Sequence, residues 1–228
     1  MRALILAAGR GERMRPLTDT TPKPLLPVRG VPMIEWHLQA LARGGVREVV
    51  INTAWLEDRF PAVLGDGSRW GLRIRYSMEG RDHGGALDVA GGIAKALPAL
   101  GEAFWLVSGD IFAPDFAFDA ALAQDFAASD RLAHLWLVPN PPFHTTGDFG
   151  IDAQGLALRD TPDRLTWASF GLFKAELFRG IRVGDTQPLL PYLLQGLQQR
   201  RVGAERYLGR WENVGTPQQL AALQGDPA

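Results

Sequence analysis

The amino-acid sequence predicts an α/β protein of three layers, in which a mostly parallel, mixed central sheet is flanked by helices. Short apolar runs alternate with amphipathic stretches along the first half of the 228-residue chain, and this alternation is typical of a parallel sheet covered on both faces. Glycines and prolines separate the runs, and Gly44 and Gly45 after the first amphipathic stretch indicate a helix end. The composition, with 46% apolar and 21% charged residues, is that of an ordinary globular protein.

Each element follows from the periodicity of its apolar residues. The runs that predict buried strands are residues 1–7, 48–52, 72–76, 103–107, 133–138 and 165–173. The stretches with apolar residues at helical spacing are residues 33–43, 55–64, 89–97, 187–200 and 216–223. A hairpin is expected over residues 149–158, turning at Asp152 to Gly155.

The charge balance and the lack of cysteine exclude several classes of protein. There are 24 basic and 25 acidic residues, so we expect neither a nucleic-acid partner nor a membrane surface, since both need a clustered positive field. With no cysteine, disulfides and thiolate metal sites are excluded. The apolar run at residues 3–7 is too short for a signal peptide or a membrane span. We therefore expect a cytoplasmic protein, as a monomer or a small homo-oligomer.

A loop rich in glycine and arginine follows the first predicted strand. Gly9 and Gly11 let backbone N–H groups approach an anion closely. Arg13 and Arg15 add guanidinium groups, which suit phosphate oxygens. Lys23 stands between two prolines, which stiffen the backbone that carries it. This combination favours a triphosphate-binding loop over the alternative, a tight turn with surface arginines.

Two familiar phosphate-binding patterns do not fit this loop. A P-loop requires G-x-x-x-x-G-K-[ST], which the residues after Gly11 do not provide. A dinucleotide-binding fingerprint requires a third glycine where Met14 stands and an acid where Asn52 stands.

An acid directly follows the fourth predicted strand, in the sequence Ser108-Gly109-Asp110. Ligands of open parallel sheets bind beyond the carboxyl ends of the strands, and a carboxylate there can hold Mg²⁺ next to phosphate groups. The alternative is an aspartate that caps the following segment. Beside a phosphate loop, the metal site is the favoured interpretation.

These motifs together resemble the signature of the sugar-1-phosphate nucleotidyltransferase family. The matching segments are residues 6–18 (LAAGRGERMRPLT), 22–25 (PKPL), 107–110 (VSGD) and 211–216 (WENVGT). The resemblance implies a Rossmann-like (GT-A-like) nucleotidyltransferase fold in one domain, residues 1–228. Residues up to about 115 would bind the nucleotide, and residues from about 116 would bind the sugar phosphate. It also implies transfer of a nucleotidyl group from a nucleoside triphosphate to a sugar 1-phosphate, with Mg²⁺ as cofactor.

The resemblance assigns catalytic roles to Arg13, Lys23 and Asp110. Arg13 would contact the β- and γ-phosphates, Lys23 would stabilise charge at the α-phosphate, and Asp110 would hold Mg²⁺. The family pattern Trp-x-Asp-x-Gly-Thr would supply a second metal ligand, but here Asn213 replaces the acid. An amide oxygen can ligate Mg²⁺ but contributes no charge, so the ion should bind more weakly unless phosphates compensate.

The remaining assignments are expectations about the walls of the site. The nucleotide-binding residues would be Leu6, Ala7, Ala8, Gly9, Gly11, Glu12, Arg13, Lys23, Glu79 and Gly91. The acceptor would contact Asn140, Asp148 and Gly171, and Lys174 and Arg164 are candidates to grip its phosphate. Trp55, Phe149 and Trp167 could stack on a sugar, although core packing is favoured for at least two of them. His37 and His83 receive no role.

Within the family, segments 64–68, 90–98 and 147–149 resemble the branch that transfers a uridylyl group from UTP to N-acetylmuramic acid 1-phosphate in cell-wall recycling. Alternatives of the same chemistry are GTP with mannose 1-phosphate, dTTP with glucose 1-phosphate, and CTP with choline phosphate. Asn213 also keeps open a different class of protein, a catalytically weak sensor that binds sugar nucleotides.

Overall fold

The computed structural model describes residues 1–225 and contains the predicted alternation of strands and helices. The strands are β1 (Arg2–Leu6), β2 (Pro27–Val28), β3 (Val31–Pro32), β4 (Glu48–Thr53), β5 (Arg73–Met78), β6 (Ala103–Ser108), β7 (Ile111–Phe112), β8 (Ala133–Val138), β9 (Gly150–Ile151), β10 (Ala157–Leu158), β11 (Thr166–Lys174), β12 (Val202–Arg206) and β13 (Glu212–Asn213). The α-helices are α1 (Met33–Arg43), α2 (Arg59–Leu64), α3 (Glu79–His83), α4 (Asp88–Ala96), α5 (Ala120–Ala128), α6 (Leu190–Gln198) and α7 (Pro217–Ala222).

A seven-stranded mixed sheet forms the middle layer, in the order β12-β8-β11-β6-β1-β4-β5. The strands β6, β1, β4 and β5 are parallel to one another, whereas β11 runs antiparallel to both β6 and β8. Each sheet face carries its own apolar core: Ile5 of β1 packs on the side of α1, and Leu4 packs on the side of α4. The predicted fold class, a mostly parallel sheet between two layers of helices, is confirmed.

Several predicted elements are confirmed closely. Helix α1 has the predicted bounds, and the predicted hairpin is the antiparallel pair β9–β10. In its turn the N–H of Gly155 donates to the carbonyl of Asp152 at 3.0 Å. None of the helices within residues 1–225 is long and apolar enough to cross a membrane.

Other boundaries differ from the predictions for local reasons. Helix α2 begins at Arg59 rather than at residue 55, because residues 55–58 form a turn in which Leu56 has a φ of +49°. Helix α6 begins at Leu190 rather than at residue 187, and the carbonyl of Gln187 instead accepts the N–H of Ala90 at 2.9 Å. Helices α3 and α5 and strand β12 were not among the predicted elements.

Candidate active site

A cavity of about 540 Å³ opens at the carboxyl ends of the parallel strands. The floor is set by the sheet register, which places Leu6 of β1 between Asn52 of β4 and Ser108 of β6. The wall consists of residues 6–14, Lys23, Pro24, Asn52, Ala86, Asp88, Val89, Ser108, Asp110 and Gly215. It includes eight of the ten predicted nucleotide-binding residues, namely Leu6, Ala7, Ala8, Gly9, Gly11, Glu12, Arg13 and Lys23.

The glycine-rich loop is held in shape by Gly11. Its φ of +68° is accessible to glycine at little cost, and its carbonyl accepts both the N–H of Met14 and the hydroxyl of Thr18, each at 2.9 Å. A Cβ at position 11 would lie 3.1 Å from Cγ2 of Thr18 and 3.2 Å from Cβ of Lys23. The turn at Gly11 therefore brings Lys23 close to the start of the loop.

Arg10 and Trp55 brace the outer side of this loop. The guanidinium carbon of Arg10 lies 3.7 Å from the Trp55 ring centroid, a cation–π distance. Both side chains also donate to the carbonyl of Thr18 at 2.9 Å. The ring of Trp55 is therefore engaged by the loop itself. Arg13, by contrast, is exposed and forms no hydrogen bond or ion pair within residues 1–225, so its donors face the cavity unpaired.

Lys23 and Asp110 form an ion pair in the cavity wall. Nζ of Lys23 lies 2.7 Å from Oδ2 of Asp110, and the hydroxyl of Ser108 donates to Oδ1 at 2.7 Å. Lys23 is only 8% exposed, so solvent competes little for its charge. Burial by itself would raise the pKa of Asp110, but the charge and hydrogen bond of Lys23, helped by Ser108, outweigh it and hold that pKa below its ordinary value. Asp110 is consequently an anion at neutral pH.

His37, for which no role was predicted, supports the backbone beside Asp110. It lies on α1, is buried, and its Nε2 is 2.7 Å from the carbonyl oxygen of Ile111. Burial lowers the pKa of His37 to about 4, so the ring is neutral at pH 7 and can donate its Nε2–H to this carbonyl. No residue spacing along the chain indicates this contact, because the two residues meet only in the folded structure.

Asn213 reaches the same place from the far end of the chain. Strand β13 pairs antiparallel with β7, so that Asn213 is opposite Ile111, and the N–H of Val214 donates to the carbonyl of Asp110 at 3.0 Å. The side-chain oxygen of Asn213 is buried and has no hydrogen-bond partner among the described residues. A buried oxygen without a donor is costly, so this atom is suited to a cation.

The oxygen donors present suit a hard cation such as Mg²⁺. Asp110 offers a carboxylate and Asn213 an amide oxygen, and Mg²⁺ prefers such ligands, with phosphate oxygens and water completing the octahedron. Across residues 1–225 there is no group of three or more histidine, cysteine, aspartate or glutamate side chains that could hold an ion by itself. A metal at this position would therefore depend on oxygens of its substrate.

A second cavity, of about 440 Å³, begins at Asn213. Its wall combines aromatic and aliphatic side chains with polar and charged ones and contains Phe143, His144, Asp148, Phe149, Arg159, Thr166, Trp167, Ser169, Leu189, Leu190, Leu193, Trp211 and Asn213. Since Asp110 lines the first cavity and Asn213 the second, the two cavities adjoin across the β7–β13 ladder. The arrangement provides one compartment for a phosphorylated nucleotide and one for a second reactant.

The predicted acceptor residues have different positions. Asp148 lines the second cavity, where Oδ2 accepts the N–H of Trp167 at 2.8 Å and Oδ1 is 3.1 Å from Nε2 of His144. Asn140 is not part of this wall; its side chain holds the loop together by accepting from Thr166 at 2.9 Å and donating to the carbonyl of Arg164 at 2.9 Å.

Gly171 is also outside the cavity wall. It lies inside β11, where a Cβ would come within 2.6 Å of the carbonyl oxygen of His134. Lys174 lies beside Ala103 at the amino end of β6 and donates to the carbonyl of Ser129. The expectation that Lys174 grips the sugar phosphate is wrong, because the two cavities are at the opposite end of the sheet.

Glu79 lies behind the wall of the first cavity. It is 0% exposed, and its two oxygens accept from Nδ2 of Asn52 at 2.7 Å and from the N–H of Leu87 at 2.8 Å. Asn52 in turn accepts the N–H of Ala7 at 2.8 Å. Burial raises the pKa of Glu79 above its ordinary value. This chain of hydrogen bonds, the Glu79 relay (Ala7, Asn52, Glu79 and Leu87), ties the glycine-rich loop to the segment before α4.

Gly91 likewise does not line the cavity. It lies inside α4, where a Cβ would overlap the carbonyl oxygen of Asp185. This glycine thus permits close packing of α4 on the segment that precedes α6.

The fold and these adjoining cavities define an α/β protein with a glycine-rich loop at the carboxyl edge of its sheet and room for two reactants side by side. The model of the family described as "Nucleotidyl transferase" matches residues 2–155. The chain belongs to this family, and the predicted resemblance is confirmed.

Relatives that cover the whole chain point in the same direction. The chain is 46% identical, over 98% of its length and 97% of the relative's, to N-acetylmuramate alpha-1-phosphate uridylyltransferase of Neisseria meningitidis serogroup B. It is 31% identical to the protein of the same description from Caulobacter vibrioides, over 97% of the chain and 95% of the relative. A solved Bacillus anthracis structure, described as a glucose-1-phosphate thymidylyltransferase, superimposes with a TM-score of 0.82 over 98% of the chain and 94% of that structure. At 19% identity, this last likeness concerns the fold.

Proposed function

We propose that this protein transfers a uridylyl group from UTP to N-acetylmuramic acid 1-phosphate, giving UDP-N-acetylmuramic acid and pyrophosphate. The observation that carries the proposal is that the two cavities adjoin at Asp110 and Asn213, an arrangement that suits a triphosphate and an acceptor held side by side. The full-length similarity to two uridylyltransferases of that description supports the choice of substrates.

The reaction needs no nucleophile from the protein. A phosphate oxygen of the sugar phosphate attacks the α-phosphorus of UTP and forms the new O–P bond. The bond between the α-phosphorus and the oxygen bridging to the β-phosphate breaks, and pyrophosphate leaves with that electron pair. Such transfers are accelerated mainly by positioning and by neutralising charge.

The charged groups of the first cavity match these demands. The unpaired guanidinium of Arg13 is available for the β- and γ-phosphates. The buried ammonium group of Lys23 is available for the α-phosphate. Donors in a site that excludes water stabilise developing charge more strongly than donors in solvent. Gly9 and Gly11 let the backbone of the loop come close to the phosphates.

Asp110 and the unpaired oxygen of Asn213 would hold Mg²⁺. When bound, the ion would neutralise charge on the phosphates and orient them. With one carboxylate and one amide, the protein contributes a single negative charge, so UTP itself must provide much of the affinity for the ion.

A reaction that consumes UTP is consistent with a cytoplasmic enzyme, and its acceptor is a cell-wall sugar. We therefore propose a role in returning a peptidoglycan sugar to its nucleotide-activated form.

A matrix of substrates tests the proposal directly. UTP, GTP, dTTP and CTP are each combined with the 1-phosphates of N-acetylmuramic acid, N-acetylglucosamine, mannose and glucose, and with choline phosphate, and pyrophosphate release is measured with Mg²⁺. We expect the highest kcat/KM for UTP with N-acetylmuramic acid 1-phosphate. A best pair of GTP with mannose 1-phosphate or dTTP with glucose 1-phosphate would replace the substrates but keep the chemistry. Binding of UDP-sugars without pyrophosphate release from any pair would instead indicate a sensor.

A further inference from the structure

The second cavity contains a cation that the proposed reaction does not yet use. Arg159 directly follows β10 and lines this cavity. Its NH1 group donates to the backbone carbonyl of Asp148 at 2.9 Å, and its guanidinium carbon lies 5.8 Å from the ring centroid of Phe149. These two contacts fix the direction of a half-buried side chain whose other N–H donors have no protein partner within residues 1–225.

Asp148, whose carbonyl Arg159 contacts, does not neutralise the guanidinium. The carboxylate of Asp148 accepts the N–H of Trp167 at 2.8 Å and lies 3.1 Å from Nε2 of His144. Arg159 contacts only the backbone carbonyl of Asp148. No carboxylate of the described part of the chain lies within ion-pair distance of Arg159. A fixed, partly desolvated guanidinium without a counter-ion is a ready site for an anion.

The charge of the proposed acceptor accounts for such a group. N-acetylmuramic acid 1-phosphate carries two anionic groups, its phosphate and the carboxylate of its lactyl ether, whereas N-acetylglucosamine 1-phosphate carries only the phosphate. The phosphate must approach the first cavity, where Asp110, Lys23 and Asn213 are located. Arg159 reaches the second cavity from the β9–β10 hairpin, a different wall from the β13 strand that carries Asn213.

We propose that Arg159 binds the lactyl carboxylate of the acceptor and thereby selects muramic acid over sugars that lack this group. The proposal rests on the proposed function and goes beyond it, because it assigns the selection of the acceptor to one side chain. The planar guanidinium can donate two parallel hydrogen bonds to a carboxylate, which an ammonium cannot do.

Binding of two products provides the test. Dissociation constants of UDP-N-acetylmuramic acid and UDP-N-acetylglucosamine are measured by calorimetry for the native protein and for Arg159→Gln, and kcat/KM is measured for the two sugar 1-phosphates. We expect the preference for the muramic acid compound to fall by about 10- to 100-fold in the variant, the range for a hydrogen bond to a charged group. Arg159→Lys should keep an intermediate preference, because it retains the positive charge but cannot donate two parallel hydrogen bonds to the carboxylate.

A chemical control removes the charge from the ligand instead of the protein. The lactyl amide of N-acetylmuramic acid 1-phosphate should be a poorer substrate than the acid for the native enzyme, and equal to it for Arg159→Gln. As a matched control, Arg200→Gln removes a 61% exposed arginine that pairs with Asp152 on the same hairpin, and it should leave the preference unchanged. Thermal midpoints of all variants show whether each is folded.

The outcomes separate the two proposals. If Arg159→Gln keeps the native preference, or loses affinity equally for both products, Arg159 does not select the acceptor, and the uridylyl transfer still stands. If the native protein releases pyrophosphate from UTP with none of the sugar phosphates, both proposals are overturned.

Discussion

Nζ of Lys23 lies 2.7 Å from Oδ2 of Asp110, so the main cation and anion of the first cavity are bound to each other. Each side chain therefore holds the other in position, and the positive charge of Lys23 lowers the pKa of Asp110. Removing either partner would leave a largely desolvated charge without compensation.

The first prediction concerns Lys23. Lys23→Met should lower kcat for pyrophosphate release by ~10²–10³, the scale of one lost electrostatic group in an active site. Lys174→Met is the matched control, because Lys174 is also anchored but lies at the amino end of β6; its kcat should be unchanged. Full activity in Lys23→Met would refute the role of Lys23.

The two loop glycines should respond differently to alanine. Gly11→Ala meets Thr18 and Lys23 and requires a φ of +68°, so the thermal midpoint should fall, corresponding to a loss of roughly 1 kcal/mol. Gly9→Ala meets no atom within 4 Å, so the midpoint should be retained while the dissociation constant for UTP rises. Unchanged UTP binding by Gly9→Ala would show that the phosphates do not approach the backbone there.

Asn213 offers a gain-of-function test of the metal site. Asn213→Asp adds a carboxylate next to Asp110, so the Mg²⁺ concentration for half-maximal activity should fall on the order of tenfold, about 1.4 kcal/mol. Chelation of Mg²⁺ by EDTA should abolish activity in both proteins. In EDTA the variant should also have a lower thermal midpoint than the native protein, because two carboxylates then repel each other. An unchanged Mg²⁺ dependence would place the ion away from residue 213.

The Glu79 relay predicts a linked effect on stability and nucleotide binding. The two oxygens of Glu79 accept one hydrogen bond each, from Asn52 and from Leu87. In Glu79→Gln one of these oxygens becomes an NH₂ group, so the side chain can accept from only one of the two donors. One buried donor is left unpaired, and the free energy of unfolding should fall by about 1–3 kcal/mol, with a higher KM for UTP because Ala7 loses its support. Urea unfolding and initial rates measure both effects. Glu48→Gln, which alters a partly exposed ion pair with Arg2, should change stability by less than ~1 kcal/mol. A KM in Glu79→Gln equal to that of the native enzyme would argue against the link.

His37 predicts how stability depends on pH. Burial lowers its pKa from 6.5 to about 4, so between these values the unfolded chain binds a proton that the folded protein does not. The free energy of unfolding should therefore fall as the pH is lowered from 6.5 towards 4, by up to ~3 kcal/mol from this residue. His37→Gln can still donate to the carbonyl of Ile111 but does not titrate. In this variant the free energy of unfolding, measured by urea titration at several pH values, should therefore depend less on pH. Parallel slopes in the two proteins would exclude His37 as the cause.

The sequence predicted the parts of the fold that depend on local pattern. The buried strands and α1 follow from apolar periodicity, and the turn at Gly155 follows from its residue type. Strand β12 was missed because Val202 to Arg206 has no alternating pattern and becomes a strand through pairing with β8. Helix α3 was missed because it is short and is stabilised from outside, by Glu57 accepting the N–H groups of Gly80 and Arg81.

The same division applies to the candidate site. The glycine-rich loop and Asp110 each directly follow a predicted strand, so the parallel sheet brings both to one edge, whereas Lys23 reaches the same cavity through the turn at Gly11. Contacts that join distant segments were not predictable, such as Asn52 with Glu79 or His37 with Ile111. Arg159 has no motif around it, and only the folded hairpin shows that it faces an acceptor-sized cavity.

The β7–β13 ladder joins an early and a late part of the chain, so the site depends on both having been synthesised. It joins Ile111 to Asn213, residues separated by nearly half of the chain. Synthesis on the ribosome produces the glycine-rich loop and Asp110 well before Asn213, and a domain folds as a unit. The carbonyl of Asp110 and the strand that carries Asn213 can therefore meet only after almost the whole chain has been made.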